Sequence, residues 1–188
     1  KHNLMVIAPA HHRRIQAGIL SWGQDLDHEH NPFQCNLGYQ VSLSGKGEWE
    51  KKGDYIGKQA LEKIKADLKD GHKPYKLQLV GFEIGGKPID EYAPDFWLVS
   101  PGDGGDPCGF ITSPWYHPEK GKNIAMGYIP FDGTLNPNGF PKWELGTKFK
   151  VHLPDIYADE PGVPVDAVTV DVPFTESFNA NTREVVKG

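Results

Sequence analysis

From Lys76 to Val172 the chain is a succession of short apolar stretches cut apart by glycine, proline and asparagine. Leu77 and Leu79 alternate with polar or small residues in one phase, and Val80, Phe82 and Ile84 continue in the opposite phase. Similar stretches occupy 96–99, 109–112, 124–129, 149–153 and 167–172, separated by turn-forming runs such as Gly85-Gly86, 102–105 and 136–139. Alternation over so few residues is the signature of strands, and the change of phase after Leu79 predicts a bulge near Gly81. The 22 glycines and 16 prolines of this 188-residue chain fall largely in those turns. A sheet of many short strands removes its unpaired edges by closing on itself. The expectation is therefore a closed or nearly closed antiparallel β-barrel over residues 76–188, with the Asn- and Thr-rich tail after Phe174 as an exposed extension.

Residues 1–75 have a different texture. Val6-Ile7-Ala8-Pro9 reads as the end of a strand. Behind His11-His12-Arg13-Arg14, the residues Ile15, Ile19, Leu20 and Trp22 recur at helical spacing and predict a short helix. The polar run 25–32, closed by Pro32, predicts a loop, and the alternation over 37–43 a strand. Ile56, Ala60, Leu61, Ile64 and Leu68 line one face of a predicted helix that Gly71 terminates. The fold class that follows is α+β: a helix–strand portion in front of a small antiparallel β-barrel.

Several functions are disfavoured by composition. The formal charge of −5 comes with no basic stripe, so no nucleic acid is expected as a partner. No run of eighteen apolar residues is present, so no helix is expected to enter a membrane. Cys35 and Cys108 stand far apart, in no CxxC arrangement, which suits separate reduced thiols and a cytoplasmic location. The chain has no nucleophile elbow, phosphate loop or dinucleotide fingerprint, and the glycine-rich run 102–107 precedes no helix. Asp25, Asp27, His28, Glu29 and His30 include metal-ligating residue types, but they crowd a hydrophilic loop. The expectation is a solvated loop, with Asp25 and Asp27 as turn or cap residues and no metal. His11 and His12 are expected to serve packing or surface contacts.

Three ordered segments carry a resemblance to a known family. The first runs Arg14-Ile15-Gln16-Ala17-Gly18-Ile19-Leu20-Ser21-Trp22-Gly23-Gln24-Asp25-Leu26-Asp27. It is similar to the stretch Arg-Leu-Glu-Ala-Gly, an aromatic, Gly, Asn, Asp, Ile, Asp of the glycine-cleavage T-protein (aminomethyltransferase) family. The second, Asn31-Pro32-Phe33-Gln34-Cys35-Asn36-Leu37, falls where that family has Thr-Pro-Val-Glu and a Gly/Leu segment. In the third, Cys108-Gly109-Phe110-Ile111-Thr112-Ser113 precedes Lys122-Asn123-Ile124-Ala125-Met126-Gly127-Tyr128-Ile129. It resembles the family's Gly-x-Val-Thr-Ser and Lys-Asn-Val-Ala-Met-Gly-Tyr-Val. Glutamine replaces the family's glutamate at Gln16 and Gln34, and the region between Tyr128 and Leu153 carries extra residues, with 131–143 rich in Asn, Pro and Gly. The Arg13-Arg14-Ile15 and Ser21-Trp22-Gly23 forms look more like the demethylase branch, which acts on dimethylsulfoniopropionate or on methyl ethers such as vanillate and syringate.

The resemblance implies a tetrahydrofolate-dependent enzyme that moves a methyl group from an O- or S-methyl donor to N5 of the cofactor. It makes residues 1–75 part of a folate-binding middle domain and 76–188 the C-terminal barrel. The family's catalytic carboxylate and most pterin contacts belong to an N-terminal half outside these residues. No catalytic residue is therefore assigned here, and a folate-holding partner is implied, in the same gene product or a companion chain. Arg14 matches a family arginine beside the folate, and Trp22 a family aromatic packed against it. Otherwise Arg14 is a helix arginine in a surface pair and Trp22 a core indole. Aminomethyl transfer in glycine cleavage is the alternative reaction. A further alternative is a non-catalytic module at the end of a dimethylglycine- or sarcosine-type flavin oxidoreductase. The lack of Met at position 1 suggests a chain that begins inside a larger product, and Ile19, Trp22 and 4–7 suggest an apolar face meant to be covered.

Overall fold

A computed structural model describes residues 10–43 and 55–174. The expected strand before Ala10 and the tail beyond Phe174 lie outside these residues.

The expected barrel is present. Six antiparallel strands, β1 (Leu77–Ile84), β2 (Trp97–Pro101), β3 (Gly109–His117), β4 (Lys122–Pro130), β5 (Lys148–Val151) and β6 (Val165–Val170), close in the order β1-β4-β3-β2-β5-β6. β1 and β4 pair along their whole length, from Leu77 opposite Pro130 to Ile84 opposite Asn123. β6 joins the other edge of β1, from Gly81 opposite Val170 to Ile84 opposite Ala167, and so leaves the sheet without an exposed edge.

The two apolar phases of β1 come from burial on both faces. Val80, Phe82 and Ile84 belong to the core that fills the barrel, with Val99, Ile111, Phe149 and Val151. Leu79 belongs to a second core outside it, with Ile15, Ile124, Met126, Tyr128 and Phe174. A strand covered on both sides reads as a nearly continuous apolar run, which a one-sided reading takes for a slip in register. The predicted bulge near Gly81 is thus absent, because the ladder to β4 runs through Gly81 without a shift. The irregularity lies in β3, between Ile111 and Ser113.

The first helix is shorter than expected. α1 spans His11–Gln16 and buries Ile15. It stops because Gly18 adopts φ 67°, with the Ile19 amide donating back to the Arg14 carbonyl at 2.8 Å. A Cβ at position 18 would also strike the Val172 side chain. Ile19, Leu20 and Trp22 therefore lie beyond the helix, and Trp22 forms an isolated bridge with Leu26 instead. The strand expected over 37–43 is replaced by a single 3₁₀ turn, Gly38–Gln40. There Gly38 fits between the rings of Phe33 and Phe140, where a Cβ would have no room.

α2 (Lys58–Lys69) agrees with the helical periodicity, and Gly71 closes it at φ 81°, with the His72 amide reaching the Asp67 carbonyl. Its inner residues Leu61, Ile64 and Leu68 pack with Phe33 and Phe131 in a third core. Ile56 precedes this helix and is exposed, and Ala60 is exposed on it. Among the described residues no helix is long and apolar enough to cross a membrane.

Candidate functional site

The segment that follows α1 is tied to the barrel by a buried charge. Asp25, expected to be a solvated turn residue, is only 1% exposed. A carboxylate in that position requires donors on both oxygens, because leaving water is otherwise very unfavourable for an ion. It has four. Oδ2 accepts from Arg14 Nη1 at 2.7 Å and from the Ser21 amide at 2.8 Å. Oδ1 accepts from Thr112 Oγ1 at 2.6 Å and from Ser113 Oγ at 2.5 Å.

Adjacent strand residues normally point to opposite faces, so Thr112 and Ser113 would not both reach one oxygen in a regular ladder. The irregularity in β3 falls at this pair and turns both hydroxyls toward Asp25. The Asp25 carbonyl is held as well, by the Tyr128 hydroxyl at 2.6 Å. Gln24 adds a further tie, its Nε2 donating to the Thr112 carbonyl at 2.8 Å.

Arg14 is the cationic half of this arrangement. Its side chain is 16% exposed, so it is neither free on the surface nor sealed in the core. Nε donates to His11 Nδ1 at 3.3 Å, Nη1 also to the Ile19 carbonyl at 3.1 Å, and Nη2 to Gln24 Oε1 at 3.0 Å and Ser113 Oγ at 2.8 Å. The N–H edge of the guanidinium is thus filled by protein acceptors, and what it offers beyond them is a flat cationic face. Burial, and next the positive charge of Arg14, hold the His11 pKa below its usual value, favouring a neutral ring. That ring sits edge-on to Tyr92 and Trp115, which gives His11 the packing role expected of it.

Trp22 is 69% exposed, on the turn that this network fixes. It is not a core indole, and it does not share a helix face with Arg14. Ile19, 59% exposed, stands on the same turn. In the neighbouring loop Asp27 accepts from the Glu29 amide and from His30 at 2.8 Å. The Glu29 amide first, and His30 next, lower the Asp27 pKa. His28 and Glu29 are exposed, and among the described residues no three His, Cys, Asp or Glu side chains gather in a metal-binding group. Cys35 is buried 3.4 Å from the Tyr128 hydroxyl, and burial raises its thiol pKa. Beside this region Phe33, Tyr39, Phe140 and Trp143 frame a cleft of about 410 Å³, one wall of which is formed by the segment 136–143.

Sequence reasoning singled out Arg14 and Trp22 but missed Asp25, Gln24, Thr112, Ser113 and Tyr128 as one network. The usable signal was two hydroxyl residues in succession within a strand, in a segment already noted for its resemblance.

A closed barrel is thus preceded by an arginine-bearing helix and a turn pinned to the sheet. The model of the glycine cleavage T-protein C-terminal barrel domain matches residues 78–175, and the chain belongs to this family. An aminomethyltransferase of Synechocystis sp. is 32% identical over 117 residues, covering 62% of this chain and 27% of that protein. One of Thermosynechococcus vestitus is 29% identical over 162 residues, covering 86% of this chain and 35% of its own length. The crystal structure of glycine cleavage system aminomethyltransferase T from Bartonella henselae superposes with a TM-score of 0.59 at 21% identity. That superposition covers 87% of this chain and 37% of that one, and it shows a shared fold. The chain thus spans about a third or less of the curated relatives it matches. These relatives are aminomethyltransferases, which favours the alternative reaction named above over the demethylase branch.

Proposed function

We propose that this chain supplies one wall of the cofactor cleft in a tetrahydrofolate-dependent one-carbon transferase, most closely an aminomethyltransferase. The observation that carries the reading is the turn bearing Trp22. It is locked onto the family's barrel by Arg14 and Asp25, yet leaves its indole facing outward. An exposed indole held rigidly suits a flat heteroaromatic ring, which stacks on it at little cost in side-chain freedom. Arg14 fits the cofactor as well, through the face of its guanidinium rather than its filled N–H edge, and so borders the site while fixing the turn. Tetrahydrofolate supplies the nitrogen that receives the one-carbon unit. The residues here hold the ring and shape the wall, and residues 1–75 belong with the folate-binding domain. The folate-holding N-terminal part of the family, on the same polypeptide or a companion chain, is the partner that completes the site.

One observation favours demethylation as a second reading. Asn136, Asn138 and Phe140 line the cleft beside Tyr39, and they lie in the region between Tyr128 and Leu153 where the resemblance implies extra residues, a place for a different donor. The two readings separate in one assay. The complete enzyme is offered an aminomethylated carrier protein, syringate, vanillate and dimethylsulfoniopropionate in turn, and one-carbon transfer to tetrahydrofolate is followed. Turnover with the carrier alone supports aminomethyl transfer, and turnover with a methyl ether or sulfonium donor supports demethylation. Transfer that needs no tetrahydrofolate contradicts both.

A further inference from the structure

Within α1, His11 stands one turn before Arg14 and turns both ring nitrogens toward its guanidinium. Nδ1 accepts from Arg14 Nε at 3.3 Å, and Nε2 lies 3.2 Å from Nη2. The other guanidinium donors go elsewhere, Nη1 to the Ile19 carbonyl and Asp25, and Nη2 to Gln24 Oε1 and Ser113 Oγ. Among the described residues, His11 is thus the acceptor for the one hydrogen, on Nε, that neither the turn nor the barrel takes. A guanidinium donates and never accepts, so an imidazole must meet it with a lone pair. The neutral ring has one, on Nδ1 here, because both Nη2 hydrogens already have acceptors. An imidazolium has none. It would set N–H against N–H at both contacts and bring a second cation against the first.

Little around the ring offsets that repulsion. The helix itself adds His12, a further basic group. The segment between β1 and β2 contributes Tyr92, edge-on at 5.0 Å, and β3 contributes Trp115 at 5.7 Å, which has nothing to titrate. The one negative group is Asp25, and its oxygens already serve Arg14, the Ser21 amide and two hydroxyls. Burial first, the Arg14 charge next, and His12 as well outweigh the attraction of Asp25, which leaves the ring harder to protonate than usual. Arg14 in turn grips Ile19 on one side of Trp22 and Gln24 and Asp25 on the other, so it clasps the Trp22 turn at both ends.

We propose that His11 is the positioning residue for Arg14 and that it acts only as a neutral ring. On taking a proton it releases the guanidinium, and the turn that carries Trp22 loosens. The clasp is closed above the ordinary histidine pKa of about 6.5 and opens as pH falls below it, because the opened form takes the proton more readily than the closed one. The clasp rests on these contacts alone. Its effect on cofactor binding rests on the proposed function.

Hydrogen exchange of the full chain, read by mass spectrometry on peptides covering 17–27, tests this at about pH 7.5 and about pH 5.5, on either side of the ordinary histidine pKa. Rates are scaled for the intrinsic dependence of exchange on pH. In the wild type, protection of the Ser21 and Gly23 amides, which donate to Asp25 and to the Leu26 carbonyl, should fall several-fold at the lower pH. His11→Asn offers an oxygen close to the place of Nδ1 and takes no proton, so its protection should be the same at both. His11→Phe keeps the ring packing without an acceptor and should be less protected at both. A wild-type loss matched in His11→Asn overturns the proton dependence. His11→Phe as well protected as wild type at the higher pH overturns the positioning role. If either variant melts early, the His11 ring Cε1–H resonance of the wild type carries the test, and a titration midpoint at or above about 6.5 overturns the proposal. In the complete enzyme, tetrahydrofolate affinity should weaken several-fold over the same pH range in wild type but not in His11→Asn. An unmoved affinity beside a loosened turn overturns the role in cofactor binding and leaves the clasp standing.

Discussion

Replacing Asp25 with Ala leaves the Arg14 guanidinium without its counter-ion and the hydroxyls of Thr112 and Ser113 without their acceptor. Breaking a buried pair costs about 3–5 kcal/mol, and the partial exposure of Arg14 places this case near the lower figure. The melting temperature should fall by roughly 6–12 °C for a chain of this size. Asp25→Asn, which keeps the shape and part of the hydrogen bonding, should fall less. Thermal melting of both variants checks the order, and an unchanged melt for Asp25→Ala would remove the pair from the fold's supports. The same reasoning makes Arg14→Ala destabilising, since it leaves Asp25 as an uncompensated buried charge. Arg14 was legible in the sequence because an arginine in a resembling stretch invites attention. Asp25 was not, because His28, Glu29 and His30 beside it make the whole run look solvated. What buries the carboxylate is the Thr112–Ser113 pair almost ninety residues away, which the sequence around Asp25 does not point to.

The strands of the barrel are held at distances that some residues would not permit. Gly127 on β4 lies between β1 and β3, opposite Val80 and Ile111, and a Cβ there would come within 2.5 Å of the Phe110 carbonyl oxygen. Gly127→Ala should therefore cost about 1–3 kcal/mol, the usual penalty for overfilling a packed site, and be visible in denaturant unfolding. An equal midpoint with an equal slope would show that the ladder can spread. Glu83 on β1 gives the barrel a small pH dependence. Burial alone would raise its pKa, but the Lys122 hydrogen bond and charge, with help from Lys120, outweigh burial and hold it below the usual value. Its contribution is therefore complete above the ordinary glutamate pKa of about 4.3 and is lost as pH falls through the lowered folded value. Both lysines are partly exposed, so the effect is at most about 1 kcal/mol. Glu83→Gln should flatten that part of the stability profile between pH 5 and 2, roughly the window in which a lowered carboxylate titrates. Strand positions and closure were readable from alternation and turn residues. The interruption in β3 was not, because alternation along one strand does not show where its ladder to a neighbour shifts.

On the scale of the whole molecule, Ile19, Trp22, Tyr92, Phe96 and Leu98 are large apolar residues left exposed among the described residues. Exposed aromatic and aliphatic groups are enriched at surfaces that meet a partner. The chain by itself should show no one-carbon transfer and should bind dyes that seek apolar surface; joining the folate-holding part should reduce that dye binding. Membership of the T-protein family could be read from three ordered segments. The branch could not, because Gln16, Gln34 and the Trp22 turn are single-residue variations on a shared frame. The claim that the Trp22 turn forms a wall of the cofactor cleft is tested most directly by calorimetric titration of tetrahydrofolate into the complete enzyme, wild type and Trp22→Ala. Loss of one stacked ring, about 1–2 kcal/mol, predicts a Kd weakened by roughly five- to thirtyfold with the melting temperature of the protein unchanged. An unchanged Kd would contradict the account.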